Sequence, residues 1–319
     1  MSAPNKPRIA VIGSNNIDLV TYVTRMPARG ETLEALSFEM GHGGKGANQA
    51  VAAARLGASV VLLTKVGDDM FADKTIGNFA DVGIEAKYIS RVKGRSSGVA
   101  TIMVEPSGEN AILIVKGANA DLSPADIERA AEDLKTCGLI LLQLEIPIDT
   151  VYAALAFGKK HGVKTLLNPA PAVADLDPRR IRDATFLAPN ETELAILSGL
   201  PVTSEAEIET AARSLLAKGV ETIIVTMGSR GAMLATADAV RRIAPVRVTP
   251  VDTTGAGDAF VGSFARFYAG GDALDAALNK ATRYAADSIT KRGAQKSYAT
   301  EAEFEFFCRA DAAAGRVGV

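Results

Sequence analysis

The sequence predicts an α/β protein: three layers, α/β/α, around a mostly parallel central sheet that carries a small β-sheet lid. Three observations predict it. Short apolar runs rich in branched residues recur along the chain, amphipathic stretches lie between them, and two segments of strand-like alternation interrupt the rhythm. In order, strands are expected at 9–12, 60–63, 139–142, 165–167, 185–187 and 222–225, apolar throughout as strands buried on both faces must be. Helices are expected between them at 47–56, 71–82, 124–134, 150–161, 191–198 and 205–218. Such βαβ alternation makes a parallel sheet with helices on both faces, and its ligand site lies beyond the carboxyl ends of the strands.

The interrupting segments, residues 16–41 and 97–116, read as strands around turns such as Pro27-Ala28-Arg29-Gly30 and Pro106-Ser107-Gly108. Together they predict a small antiparallel sheet outside the main layer. Beside a glycine-rich loop it would serve as a lid; the alternative is a decorative edge hairpin. With no linker or repeat in 319 residues, one domain spanning 1–319 with the lid as an excursion is expected.

Composition excludes several classes. Hydrophobic residues make up 48 % and charged residues 23 %, which is incompatible with a disordered, collagen-like or disulfide-stapled chain. Lys plus Arg 35 against Asp plus Glu 37 leaves a net charge of −2, so no basic field is available for nucleic acid or an anionic membrane. No apolar run approaches the ~20 residues of a membrane span. The polar opening Met1 to Arg8 leads into a run too short for a secretory signal, so a cytoplasmic location is expected. Cys137 and Cys308 are expected as buried free thiols, and the Ala-rich tail after Arg309 as frayed.

Two glycine-rich loops carry the chemistry. Gly41-His42-Gly43-Gly44-Lys45-Gly46 matches G-x-G-x-x-G, but the next strand ends Thr64-Lys65, without the acidic residue that a dinucleotide ribose requires. No P-loop sequence occurs either. What remains is a backbone able to approach a small polar ligand, followed by Lys45, Asn48 and Gln49, or simply a tight strand-to-helix turn. The second loop, Asp252-Thr253-Thr254-Gly255-Ala256-Gly257-Asp258, follows a β-rich stretch at 246–251 and enters a helix expected at 259–268. Its glycines let N–H groups converge at a helix N-terminus, forming an anion hole. Asp258 then lies in the first helical turn. It could merely complement the dipole, but a carboxylate beside an anion hole is favourable if it takes a proton from a hydroxyl attacking a phosphoryl group.

Seven segments, in this order, resemble the ribokinase-like (PfkB) sugar kinases: Gly13-Ser14-Asn15-Asn16-Ile17-Asp18, Gly43-Gly44-Lys45-Gly46-Ala47-Asn48-Gln49, Gln143-Leu144-Glu145, Asn168-Pro169-Ala170-Pro171, Pro189-Asn190-Glu191-Thr192-Glu193, Thr226-Met227-Gly228-Ser229-Arg230-Gly231 and the Asp252–Asp258 loop. The resemblance implies an α/β core with a β lid, ATP and Mg²⁺ as co-substrates, K⁺ as a monovalent activator, and homodimers joined through the lids. It implies transfer of the ATP γ-phosphoryl to the 5-hydroxyl of ribose, with 2-deoxyribose or another pentose or nucleoside as the alternative acceptor. Carried over residue by residue, the sugar would be held by Asn16, Asp18, Gly44, Lys45, Asn48 and Glu145. Asp258 would be the base and Gly255, Ala256 and Gly257 the anion hole. The nucleotide would meet Asn190, Thr226, Gly228, Ser229, Gly231, Gly257 and Thr282. Asn190 and Glu193 would organise Mg²⁺ through water, although Asn-x-x-Glu is equally a helix capping box. Oxygens of Asp252 and Ser297 and the backbone carbonyls of Thr254, Ser288, Lys291 and Gly293 would hold K⁺. A sugar-sensing protein without activity and an oxidoreductase are the rival classes; the intact Asp258 opposes the first and the missing ribose acid the second.

Overall fold

The computed structural model describes residues 6–174 and 176–313. Within them the strands are β1 (Arg8–Ile12), β2 (Asn16–Tyr22), β3 (Ser37–Gly43), β4 (Ser59–Val66), β5 (Ile89–Arg91), β6 (Val99–Val104), β7 (Asn110–Val115), β8 (Leu139–Leu142), β9 (Thr165–Leu167), β10 (Phe186–Leu187), β11 (Thr222–Thr226), β12 (Ala232–Thr236) and β13 (Val240–Ile243). The large sheet runs β13-β12-β11-β10-β9-β8-β1-β4-β5. It is parallel from β11 to β5, as expected, and closes at one edge with the antiparallel strands β12 and β13.

The alternation of side chains along each strand gives the sheet two cores. Ile9, Val11, Leu139 and Leu141 belong to one, whereas Ala10, Ile12, Ile140 and Leu142 belong to the other. Each central strand is therefore covered on both faces, which is why the expected runs are apolar at every position. The chain leaves β1 for β4 and β5 on one side, then returns to build β8 to β11 on the other. The crossovers consequently diverge between β1 and β8, opening a crevice at the carboxyl ends of those two strands.

The second sheet, β3-β2-β6-β7, comes from the two segments expected as a lid. β2 pairs antiparallel with β3 and β6 with β7, and the two hairpins join through a parallel β2–β6 pairing. The expected turn at Pro27–Gly30 is closed by Glu31, whose carboxylate accepts the Ala28 N–H at 2.9 Å and pairs with Arg25.

Several elements differ from expectation. Residues 246–251 form no strand, because Pro245 and Pro250 lack the N–H that a ladder needs; the preceding strand is β13. The helix expected at 124–134 divides into Pro124–Arg129 and Ala131–Leu134 at Ala130, whose N–H reaches both the Asp126 and Ile127 carbonyls. The helix expected at 259–268 is Ala256–Ala269, beginning as soon as Gly255 has turned with φ +77°. Cys137 is buried as expected, but Cys308 is only half-buried. The last helix, Glu301–Ala313, continues past Arg309 where fraying was expected, while the rest of that tail and residues 1–5 of the polar opening lie outside the described residues.

Candidate active site

The loops that follow β1, β8, β9, β10 and β11 all emerge at one edge of the sheet, and they are the loops that the sequence singles out. At the crevice between β1 and β8, the chain turns through Gly13-Ser14-Asn15 straight into strand β2 of the second sheet, carrying Asn16 and Asp18 with it. Glu145, just past β8, accepts the Lys45 N–H at 2.9 Å and the Ser14 hydroxyl, so its carboxylate caps the start of the helix Lys45–Arg55. Two glycines make this approach possible. A Cβ on Gly43 would lie 2.2 Å from an Asp18 carboxylate oxygen, and Gly44 combines φ +87° with only 2.7 Å from its Cβ position to the Asn15 Cα.

The site has a marked charge pattern. Burial, then the charges of Glu145 and Asp258, push the Asp18 carboxyl up to about 6. Burial alone would lower the Lys45 ammonium, but Asp258, Glu145 and Glu193 outweigh it and raise it above the ordinary lysine value. One cation thus faces several acids in a crevice largely withdrawn from water. Carboxylates in excess suit a ligand rich in hydroxyl donors far better than an apolar one.

Asp258 arrives from the opposite side of the crevice, and its position depends on helix packing. Gly262 of Ala256–Ala269 lies against Lys45–Arg55 so closely that a Cβ would sit 2.4 Å from the Gln49 carbonyl. Small residues on both helices bring their N-termini to the same point. There Asn48 donates to Asp258 Oδ2 at 3.0 Å and Gln49 donates to Oδ1 at 3.0 Å. Further amides stand behind these: Gln295 donates to Asn48 Oδ1 at 2.9 Å and Gln143 to Gln49 Oε1 at 2.6 Å. Both carboxylate oxygens of the buried Asp258 are thereby oriented before any ligand arrives.

Of the N–H groups expected to form the anion hole, those of Gly255 and Gly257 have no partner among the described residues. The Ala256 N–H is taken by the Thr253 carbonyl at 3.2 Å, while the Asp258 N–H, like those of Gly255 and Gly257, has no partner among the described residues. This is the ordinary consequence of Gly255 being the N-cap, since the first N–H groups of a helix have no carbonyl behind them.

The remaining residues sort into two outer groups. Asn190 and Glu193 form the capping box: Asn190 Oδ1 accepts the Glu193 N–H and Glu193 Oε2 accepts the Asn190 N–H, both at 2.8 Å. Burial raises the Glu193 carboxyl above its ordinary value. The Thr226–Gly231 loop adjoins them, since Thr226 donates its N–H to the Pro189 carbonyl at 3.0 Å and Arg230 pairs with Glu191. Gly231 needs φ +84° here, and its Cβ would lie 2.2 Å from the Ile243 carbonyl. Gly228 and Ser229 form the turn between them. In the second group Asp252 accepts N–H groups from both Thr254, at 2.9 Å, and Gly293, at 2.8 Å, tying the two loops together. These bonds outweigh burial and hold its carboxyl below the usual range. The Ser297 hydroxyl and the Ser288, Lys291 and Gly293 carbonyls lie on the same Ser288–Ser297 segment, and the Lys291 side chain pairs with Asp287 at 2.7 Å, which leaves the expected role of its carbonyl untouched. Thr282 is buried within the helix Leu274–Ser288, where it donates to the Leu278 carbonyl at 3.0 Å; no hydrogen bond among the described residues joins it to the Thr226–Gly231 loop.

Sequence reasoning missed Asn119 and Gly98, which contact Asn15 and Asn16. Gly117-Ala118-Asn119 follows the edge strand β7 of the second sheet, but nothing in that spacing names its partners more than a hundred residues earlier.

The chain resembles known proteins over nearly its whole length. The family model for pfkB family carbohydrate kinases matches residues 6–301. The deoxyribokinase of Salmonella typhi is 55 % identical over 296 residues, covering 93 % of this chain and 97 % of that protein. The ribokinase of Mus musculus is 39 % identical over 294 residues, covering 91 % of each. Among solved structures, Arabidopsis thaliana ribokinase complexed with ribose and ATP superposes with a TM-score of 0.89 at 29 % identity, covering 95 % of this chain and 99 % of that one. Thermotoga maritima ribokinase gives 0.85 at 35 % identity, covering 94 % and 99 %. With a match that runs from before the first strand to the start of the last helix, the chain belongs to the pfkB family of carbohydrate kinases and is a sugar kinase of the ribokinase-like fold.

Proposed function

We propose that this sugar kinase transfers the γ-phosphoryl of ATP to the 5-hydroxyl of D-ribose. The observation that carries the reading is the buried amide of Asn16 beside Asp18 at the β1–β8 crevice, a polar group suited to a sugar hydroxyl that a 2-deoxy sugar lacks. Asp18, Glu145, Lys45, Asn48 and the Gly44 backbone complete the sugar pocket, and a ribokinase in complex with ribose and ATP supports that ligand pair. The second reading, 2-deoxyribose as preferred acceptor, is favoured by the 55 % identity to a deoxyribokinase. Comparing kcat/KM for the two sugars, in the wild type and in Asn16→Met, decides between them. Ribose should be preferred and the variant should shift the ratio toward 2-deoxyribose by about one to two powers of ten, the worth of 1–3 kcal/mol. A wild-type preference for 2-deoxyribose establishes the second reading.

In the proposed step Asp258 accepts the proton of the sugar hydroxyl as its oxygen bonds to the γ-phosphorus, the bond from that phosphorus to the bridging oxygen breaks, and ADP leaves. The N–H groups of Gly255, Gly257 and Asp258, which have no partner among the described residues, stabilise charge on the phosphoryl oxygens at the helix N-terminus. Asn190, Thr226, Gly228, Ser229 and Gly231 hold the nucleotide in this reading, and the lid excludes water. Magnesium bound with ATP would supply charge neutralisation of the phosphates. The capping box leaves Glu193 Oε1 free to meet its water shell, and a lone buried carboxylate fits indirect contact better than direct ligation. Potassium also fits: the Asp252-bridged loops are rich in carbonyls, and a cation there would hold the Gly255–Gly257 turn in shape. Two further parts of the reading are a cytoplasmic location and a homodimer through the lid, whose strand β7 leaves Ile112, Leu113, Ile114 and Val115 more than half exposed.

A further inference from the structure

We infer that Asn119 is a positioning residue for sugar recognition, dictating that Asn16 presents its amide N–H₂, and not its carbonyl, to the acceptor sugar. Asn16 is taken as the sugar contact proposed above, and backbone polarity, which cannot be reversed, fixes how Asn119 meets it. Asn119 is buried, and its Oδ1 accepts the Asn15 backbone N–H at 3.0 Å while its Nδ2 donates to the Asn15 carbonyl at 2.7 Å. A backbone N–H only donates and a backbone carbonyl only accepts, so these two bonds admit one orientation of the Asn119 amide. The same Nδ2 also reaches the Asn16 side chain at 3.0 Å, where it must find an oxygen. Asn16 therefore spends its Oδ1 on Asn119, and its Nδ2 has no partner among the described residues.

Three further features bear this out. The Asn16 N–H₂ lies on the lid face that carries Asp18, because Asn16 and Asp18 are two apart on β2 and pair with Gly43 and Gly41 on β3. Neither glycine places a side chain between that face and the crevice. Gly98 makes room for the clamp, since a Cβ there would lie 2.3 Å from both Asn119 Nδ2 and Asn16 Oδ1. Finally, Asn119 follows the edge strand β7 by only a few residues, and Val115 at the end of β7 lies in register, through Val99, with Ile17, so one side chain joins the β1–β2 turn to the edge strand at the same end of the lid.

A donor at this place requires an acceptor lone pair on the sugar, while Asp18 beside it requires a donor. A hydroxyl meets both demands at once, and a C–H meets neither. That division makes Asn119 the origin of discrimination without any contact to the sugar.

Asn119→Asp tests this, because a carboxylate cannot donate to Asn16 Oδ1 and the Asn16 amide must turn over to give it an N–H. The expected result is a fall of about tenfold or more in the ribose to 2-deoxyribose ratio of kcat/KM, carried by the sugar KM, with saturated kcat and the KM for ATP little changed. In the Asn16→Met background the same change should leave that ratio where Asn16→Met alone puts it. An unmoved ratio in Asn119→Asp, when Asn16→Met moves it, overturns the inference and leaves the role of Asn16 standing. If Asn16→Met itself moves nothing, the sugar-contact reading falls and the inference with it. A measurement on the unaltered protein guards against a variant that does not fold. Fluorine accepts weakly and cannot donate, so of the analogues bearing fluorine or hydrogen in place of the discriminated hydroxyl, the fluoro sugar should show the higher kcat/KM. The reverse ranking refutes a presented donor.

Discussion

Replacing Asp18 by asparagine should stabilise the protein at neutral pH while impairing sugar use, and the size of the effect follows from the crowding of acids at the crevice. The Asp18 carboxyl rises from 3.8 to about 6 through burial and the charges of Glu145 and Asp258. An acid whose pKa is raised on folding binds more protons in the folded than in the unfolded state between those two values. Stability therefore declines as the pH climbs through that window, and above it the folded protein bears the full cost of an ionised Asp18. About two units at 1.4 kcal/mol each is about 3 kcal/mol, and partial solvation of the site brings the expectation to about 1–3 kcal/mol. Urea denaturation of wild type and Asp18→Asn at pH 4 and at pH 8 measures it. The variant's stability relative to wild type should improve by that amount between the two pH values, a difference in which pH-independent packing effects cancel. A relative stability that does not change with pH, or that changes in the opposite sense, refutes the account of the charge pattern.

Asp258→Asn should lower kcat by at least about 10²–10⁴, the usual worth of a positioned base, while calorimetry still detects ATP binding; near-normal turnover would remove Asp258 from that role. Activity in Na⁺ or Li⁺ buffer should rise on adding K⁺ at constant Mg²⁺, and Asp252→Asn, which loses an acceptor between the Thr254 and Gly293 N–H groups, should abolish the response. Equal rates in all three salts would exclude the cation from this segment.

Much of the fold was legible because the central strands are buried on both faces. Runs such as Leu139–Leu142 then read as continuous apolar segments, and the glycine-rich loops fall between strand and helix, where backbone conformation leaves its own trace in composition. Where local signals were weak, the expectation slipped. The β-rich residues at 246–251 form no strand, flanked by Pro245 and containing Pro250, neither of which offers an N–H, and the short helix pair at 124–134 breaks at Ala130 through a carbonyl geometry with no counterpart in residue type.

The sequence by itself determined the α/β alternation, the two segments that make the second sheet and the order of the motifs, since these depend on periodicity and on residues within one turn of each other. Only the tertiary structure decided which of those motifs meet. The crevice between β1 and β8 exists because the chain builds its sheet outward in two directions from β1, and no local pattern encodes strand order. Asp258 finds Asn48 and Gln49 because Gly262 lets two helices approach, and the amide of Asn16 is oriented by Asn119 from a hundred residues away. Hydrogen-bond polarity and close packing are properties of pairs, and a pair separated this far in sequence becomes visible only once the chain has brought its members into contact.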